Sequence, residues 1–240
     1  MKTSLFIKQT NSTNSLMWTL LKQETLPEGF LIYTDFQTSG KGQIENSWES
    51  EPGKNLLFSI LLYPHHIAID KQFIIAQIVS NSIINVLTEF CEGLTIKWPN
   101  DIYVNDKKIA GILIENSLRG TQINHSIIGI GLNVNQTDFI SDAPNPVSLK
   151  QIVRKSLQRK GIMKRIFENI LSDYNEMNLN KIRESYYKNL YRNDGLYTFK
   201  SENETFKARI ESVKPDGKIN MTLENGSSRS FYFKEVEFII

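Results

Sequence analysis

Apolar positions along the chain change period several times, and each change predicts an element. Over residues 12–23 (STNSLMWTLLKQ) two hydroxyls precede Leu16, Leu20 and Leu21 at near-helical spacing, which predicts a capped helix. Residues 30–36 (FLIYTDF) and 55–62 (NLLFSILL) read as strands. Between residues 70 and 90, Phe73, Ala76, Val79, Ile83, Val86, Leu87 and Phe90 follow the 3.6-residue period of a long amphipathic helix. Four β-rich runs come next, LTIKW, DIYVN, KIAGILIEN and HSIIGIGLNVN, separated by the turns PN, NDK and SLRGTQ. After APNP, Ser148 with Gln151 three residues on forms a capping box, and Leu149, Ile152, Val153 and Leu157 line the helix it opens. Helical patterning continues, broken at Gly161, to about Tyr191. From residue 193 short alternating strands take over, joined by ENE, KPDG and ENGS. The expectation is an α+β fold in two domains: residues 1–192, a mixed sheet with helices on one face, and residues 193–240, a small β-barrel leaning on it.

Composition narrows the function classes. The chain has 240 residues, 40% hydrophobic and 22% charged, which is ordinary for a globular protein. A net charge of +2 does not announce nucleic acid or membrane as a partner. One segment departs from that average: residues 150–165 carry seven cations and no acid, read either as a solvated helix face or as a docking patch. Cys91 is the only cysteine, which excludes an internal disulfide and a cysteine-based zinc site. The amino-terminal residues lack the apolar run of a secretion signal, and no segment approaches the ~20 apolar residues needed to cross a bilayer. A cytoplasmic protein with no membrane partner is expected.

Candidate chemistry concentrates in residues 96–115, IKWPNDIYVNDKKIAGILIE. Two strands around NDK form a hairpin, and a period of two would place Lys108 on the same face as Ala110, with Gly111 where a ligand can approach the backbone. Pro99 stops the first strand, so Asn100 and Asp101 fall at a bend. Cations and an acid beside apolar walls suit a charged, partly greasy molecule; strand-end charges facing water are the alternative. A helix opening at Ser12 and Thr13 would aim free N–H groups at a polar head group, or be a plain N-cap. The connection over residues 37–54 is 18 residues long, far beyond the usual ~4–6, and its Trp48 suggests a lid.

The stretch KWPNDIYVNDKKIAGILIE resembles the signature of biotin–protein ligases. Three further segments stand in that family's order: NSTN at residues 11–14, the loop GKGQ with Trp48 and PGKNL over residues 40–56, and IGIGLNVN at residues 128–135. The resemblance implies a catalytic domain similar to class II aminoacyl-tRNA synthetases, followed by an SH3-like barrel. It also implies ATP- and Mg²⁺-dependent conversion of biotin to biotinyl-5'-AMP, then transfer to one lysine of a carboxylase carrier domain. No enzyme nucleophile is needed, which agrees with the setting of Cys91 and with the absence of a Ser-His-Asp pattern around His65, His66 or His125.

By position, Lys108 matches the lysine that holds the biotin carboxylate and later the adenylate phosphate. Lys41 and Asp101 complete the catalytic candidates, Asp101 orienting the incoming lysine or a metal. Ser12, Thr13, Gln37, Gly40, Lys41, Lys108, Gly111 and Gly129 are implied on the biotin side. Lys41, Gly42, Gln43, Trp48, Lys97, Asn100, Lys108, Gly131 and Asn133 are implied on the ATP and adenylate side; no metal ligand is assigned. For the glycines a tight turn is the alternative, and for Lys97 support of the turn. The loop departs from the family's GRGRRGR pattern: Lys41 and Gln43 replace arginines and Glu45 a glycine, so it should grip the adenylate differently.

Many relatives carry an N-terminal DNA-binding module. Here the ligase motif begins at residue 11, so no specific DNA binding is expected. The strand IGIGLNVN allows a homodimer. Two other readings stay open: a lipoate or octanoate ligase or transferase on the same scaffold, and a nucleic-acid-binding module using the basic run and the C-terminal aromatics.

Overall fold

The computed structural model describes residues 3–43, 46–140, 145–202 and 204–240. Seven strands form the main sheet in the order β1-β2-β3-β7-β6-β5-β4. They are β1 (Ser4–Thr10), β2 (Leu31–Gln37), β3 (Leu56–Leu62), β4 (Leu94–Lys97), β5 (Asp101–Val104), β6 (Lys107–Arg119) and β7 (Gln122–Leu132). Only the β1–β2 pair is parallel, so the sheet is mixed. β1 was not foreseen. Its alternation is weak because it is an edge strand, and only one side of SLFIKQT is covered.

Central strand β3 is buried along its whole length, and its alternating positions feed two different cores. Phe58 and Ile60 join Ile102, Ile112, Ile128 and Ile130 against α2 (Phe73–Leu87), which packs on α4 (Arg159–Glu176) and α5 (Leu179–Lys188). Leu61 faces the other way, into a cluster with Met17, Phe30, Ile32 and Ile127. That second cluster is closed by α1 (Thr13–Leu21), so helices cover both faces rather than the one expected. α1 is only nine residues long, and the sheet face beside it stays open. A short α3 (Leu149–Val153) starts with the expected Ser148–Gln151 capping box.

The C-terminal strands β8 (Tyr197–Ser201), β9 (Glu204–Val213), β10 (Ile219–Leu223), β11 (Ser228–Phe231) and β12 (Glu237–Phe238) pair in the order β11-β10-β9-β8-β12. β11 and β12 are the two edges, so the sheet is open rather than a closed barrel. It is tied to the turn after β4 and to α5: Trp98 Nε1 donates to the Gly217 carbonyl at 2.9 Å and Tyr187 Oη to the Ile210 carbonyl at 3.2 Å. Phe199, Ile210 and Met221 belong to the same contiguous core as Ile102 and Val104.

The basic run folds into α3, α4 and the segment joining them, and four of its seven cations have local partners. Arg159 pairs with Asp35 at 2.9 Å, Lys164 with Glu168 at 3.7 Å and Arg165 with Glu89, while Lys160 lies 5.6 Å from the Phe6 ring centre. These contacts favour the solvated-face reading over a docking patch. Among the described residues no helix is long and apolar enough to cross a membrane.

Candidate active site

The open face beside α1 forms a cleft of about 290 Å³. Cross-strand register explains which side chains reach it. Lys97 pairs with Asp101, Asp101 with Gly111, and Gly111 with Gly131, so these residues from four neighbouring strands share one face. Lys108 joins them through an irregularity in the pairing. β5 residues Ile102 and Tyr103 are adjacent, yet their partners on β6 are Ala110 and Lys108, so β6 carries an extra residue there. The bulge reverses the alternation. Ala110 enters the core, and Lys108 turns to the cleft with its Cε near Gly111, so the expected shared face for Lys108 and Ala110 is corrected.

Lys108 Nζ then lies 2.7 Å from Asp101 Oδ1, an ion pair one quarter or less exposed on either side. The contact is not aligned as a hydrogen bond, and Oδ1 is buried without one. On β4, Lys97 projects into the same cleft. Burial lowers the pKa of its ammonium group; Asp101 opposes the shift and Lys108 reinforces it. Asn100 holds the bend in place: its carbonyl accepts from Ile112 N at 2.9 Å and its Nδ2 donates to the Ile112 carbonyl at 2.8 Å.

Gly111 and Gly131 leave a bare strip of backbone, and the Trp48 indole lies on it. A Cβ at Gly131 would stand 2.4 Å from Trp48 Cε2, and one at Gly111 2.9 Å from Cζ3. The loop carrying Trp48 is folded back on itself: Trp48 N donates to the Gly40 carbonyl at 2.9 Å, Gly42 N to the Asn46 carbonyl at 2.8 Å, and Lys41 bridges Ser47. Lys108 Nζ is 5.7 Å from the indole centre, a cation–π distance.

At the other end of the cleft, α1 starts with Ser12 as N-cap, whose hydroxyl makes no capping bond. Gln37 takes that role, its Oε1 accepting from Thr13 N at 2.8 Å and Thr13 Oγ1 at 3.1 Å. Behind them lies a polar cluster that sequence reasoning missed. Ser59 Oγ is 2.7 Å from Thr13 Oγ1 and 2.6 Å from Asn14 Oδ1, and Asn14 Nδ2 donates to Glu115 Oε2 at 2.7 Å. Gly129 makes room for it, since a Cβ there would stand 2.5 Å from Asn14 Oδ1. One signal was available: Ser59 is a lone polar residue in an otherwise apolar strand, and buried hydroxyls need partners.

Of the expected site residues, Ser12, Thr13, Gln37, Lys41, Gly42, Gln43, Trp48, Lys97, Asn100, Asp101, Lys108, Gly111, Gly129 and Gly131 line this cleft. Gly40 and Asn133 do not. Gly40 sits behind Trp48, where a Cβ would be 2.5 Å from the Trp48 carbonyl oxygen. Asn133 is buried and takes its backbone bonds from β6 and α3, donating to the Ile109 carbonyl at 2.9 Å and accepting from Leu149 N at 3.1 Å. In this structure the space at Gly111 and Gly131 is taken by Trp48 and that at Gly129 by Asn14. Glu45 lies outside the described residues. Phe233, from the turn between β11 and β12, also lines the cleft and was not foreseen.

A cation held beside a glycine shelf, with a helix N-terminus and buried hydroxyls at the far end, suits an acidic small molecule with a compact polar head. Comparison with known proteins sharpens that reading. Residues 6–133 match the family model described as the biotin/lipoate A/B protein ligase family, and the chain belongs to that family. The bifunctional ligase/repressor BirA of Bacillus subtilis is 30% identical over 227 residues, covering 90% of this chain and 68% of that protein. The biotin–protein ligase of Homo sapiens is 27% identical over 200 residues, covering 78% of this chain and 27% of that one. The biotin protein ligase of Aquifex aeolicus, solved in complex with biotin and ATP, shares the fold with a TM-score of 0.80 at 24% identity, over 99% of this chain and 98% of that one.

Proposed function

We propose that this protein is a biotin–protein ligase, joining biotin to AMP and passing it to a lysine on the carrier domain of a carboxylase. The observation that carries the reading is the position of Lys108, turned by the β6 bulge onto the cleft face beside Asp101 and the glycine shelf. Biotin's ureido head sits against Ser12, Thr13 and Gln37, and its carboxylate meets Lys108. The Ser12 hydroxyl, free of a capping bond, is available to that head group.

In the first step a carboxylate oxygen of biotin bonds to the α-phosphorus of ATP, and the bond from that phosphorus to the bridging oxygen breaks, releasing pyrophosphate. In the second, the neutral ε-amine of the acceptor lysine attacks the carbonyl carbon of the mixed anhydride and forms the amide C–N bond; the bond from that carbon to the bridging oxygen breaks, AMP leaves with its electron pair, and the amine gives up a proton. Negative charge grows on phosphate and carbonyl oxygens in both steps, and Lys108 is already fixed where it grows. Asp101 neutralises part of Lys108 in the free protein and faces the incoming amine. Trp48 covers the shelf and flanks the adenylate, with Lys41, Gly42, Gln43, Asn100 and Gly131 around it.

Magnesium fits as an ion carried by the triphosphate. Among the described residues no group of three or more His, Cys, Asp or Glu forms a metal site. Asp101, whose Oδ1 is paired with Lys108, would offer its other carboxylate oxygen as one of the one or two protein ligands such an ion takes. When bound, the ion neutralises phosphate charge. We assign residues 1–192 to catalysis on a class II aminoacyl-tRNA synthetase-like domain, and residues 193–240 to a C-terminal module.

Incubation with biotin, ATP, Mg²⁺ and a carrier domain, followed by intact mass measurement, tests the reading. The carrier should gain one biotinyl group, and Lys108→Ala should reduce the rate by about 100-fold or more. Lipoyl addition without biotinyl addition would overturn it in favour of the other branch of the family.

A further inference from the structure

Two lysines enter the cleft, and they are held in opposite ways. Lys108 leans on Asp101 at 2.7 Å. Lys97 makes neither an ion pair nor a hydrogen bond among the described residues, although it is half-buried; the Asp101 and Glu237 carboxylates attract it without coming within ion-pair distance. Its Nζ instead rests 5.4 Å from the centre of the Tyr103 ring and 5.4 Å from that of Phe238, which comes from β12 of the C-terminal sheet. Ring faces attract a cation but do not replace oxygen acceptors for its three N–H groups. A half-buried ammonium kept this way is poised for an anion that a ligand brings.

Position indicates which anion. Across the sheet the cleft face runs from Gly131 on β7 to Gly111 and Lys108 on β6, Asp101 and Tyr103 on β5, and Lys97 on β4. Neighbouring strands are about 4.8 Å apart, so Lys97 stands two strand spacings beyond the strand that carries Lys108. It lies away from α1, on the far side of Asp101. If biotin extends from α1 to Lys108, the α-phosphate lies near Lys108, and the remaining two phosphates of ATP extend toward β4.

Resting on the biotin-ligase reading above, we infer that Lys97 is a second catalytic cation, which stabilises the charge gathering on pyrophosphate as the α-phosphorus–oxygen bond breaks. Tyr103 and Phe238 are its positioning residues, and β12 thereby makes the C-terminal sheet a part of the activation step. No proton moves in this event; the electron pair of the broken bond leaves on the pyrophosphate oxygen. The acceptor amine arrives only after pyrophosphate has gone, so Lys97 serves the first half-reaction and not the second.

The test separates the two half-reactions. Exchange of labelled inorganic pyrophosphate into ATP in the presence of biotin reports activation, and transfer from supplied biotinyl-5'-AMP to a carrier domain reports the second step. Lys97→Met should lower exchange by about 100-fold, Lys97→Arg should recover part of it, and Phe238→Leu should lower it by about 10-fold. In all three variants transfer from the supplied adenylate should stay within about threefold of wild type, and biotin affinity by calorimetry should be unchanged, which verifies the fold. Normal exchange in Lys97→Met, equal losses in both half-reactions, or a loss confined to transfer would each overturn the inference. A wild-type protein that supports no biotin-dependent exchange would instead refute the ligase reading itself.

Discussion

Gly129→Ala tests whether the cluster behind α1 holds the end of the cleft proposed to take biotin. The added Cβ would lie 2.5 Å from Asn14 Oδ1, 3.0 Å from Cγ and 3.1 Å from Nδ2. Relieving this overlap requires the carboxamide to shift by about 1 Å. Asn14 is 2% exposed, so water cannot replace what it loses. The shift breaks the 2.6 Å contact with Ser59 Oγ and the 2.7 Å bond to Glu115, leaving a buried hydroxyl and a carboxylate oxygen short of partners. At about 1–3 kcal/mol for each unsatisfied group, the expected loss of stability is about 2–4 kcal/mol. Urea denaturation of wild type, Gly129→Ala, Asn14→Ala and the double variant measures it. All three atoms met by the new Cβ are absent in Asn14→Ala, so the double variant should be more stable than the sum of the two losses by about 1–3 kcal/mol. Thr13 shares the Ser59 hydroxyl, so KM for biotin should also rise by about tenfold in Gly129→Ala. A loss below about 0.5 kcal/mol, or strict additivity in the cycle, would refute the reasoning.

Three further outcomes are expected. Gly131→Ala forces the indole of Trp48 off the shelf, because its Cβ would be 2.4 Å from Cε2, and should weaken adenylate binding by about tenfold in a filter or calorimetric assay. Gln136 is fully buried, accepts from Asn55 Nδ2 at 2.7 Å and Glu51 N at 2.9 Å, and donates to Glu49 Oε1 at 3.1 Å; Gln136→Leu should lower stability by about 2–4 kcal/mol in a denaturant melt. His125 packs against Trp18 with ring centres 5.0 Å apart, its Nε2 has no hydrogen bond, and burial lowers its pKa below the ordinary 6.5. The unfolded chain therefore binds more protons, and stability should be full above pH 6.5 and decline as pH falls below it. In His125→Gln that part of the decline should disappear from thermal melts recorded across pH 5–7.

Local chemistry along the chain determined most of the elements and most of the candidate side chains that the fold gathers at the cleft. The period of α2, the Ser148–Gln151 capping box and the KWPND turn are properties of residues within a few positions of one another, and such patterns survive without knowledge of distant partners. Pairing between distant segments decided the rest. Lys108 reaches the cleft only because β5 and β6 slip by one residue, a register event that alternation within β6 alone does not encode. Asn14, Ser59 and Glu115 form one cluster from three separate elements, and Lys97 acquires its second ring from Phe238, 141 residues further along the sequence. Sheet edges and closure are also global: β1 is weakly patterned because it borders the sheet, and the C-terminal strands stay open because β11 and β12 do not meet. A residue's side-chain period is set by its own backbone, whereas burial and contact depend on which remote strand lies beside it, and only the folded chain supplies that neighbour.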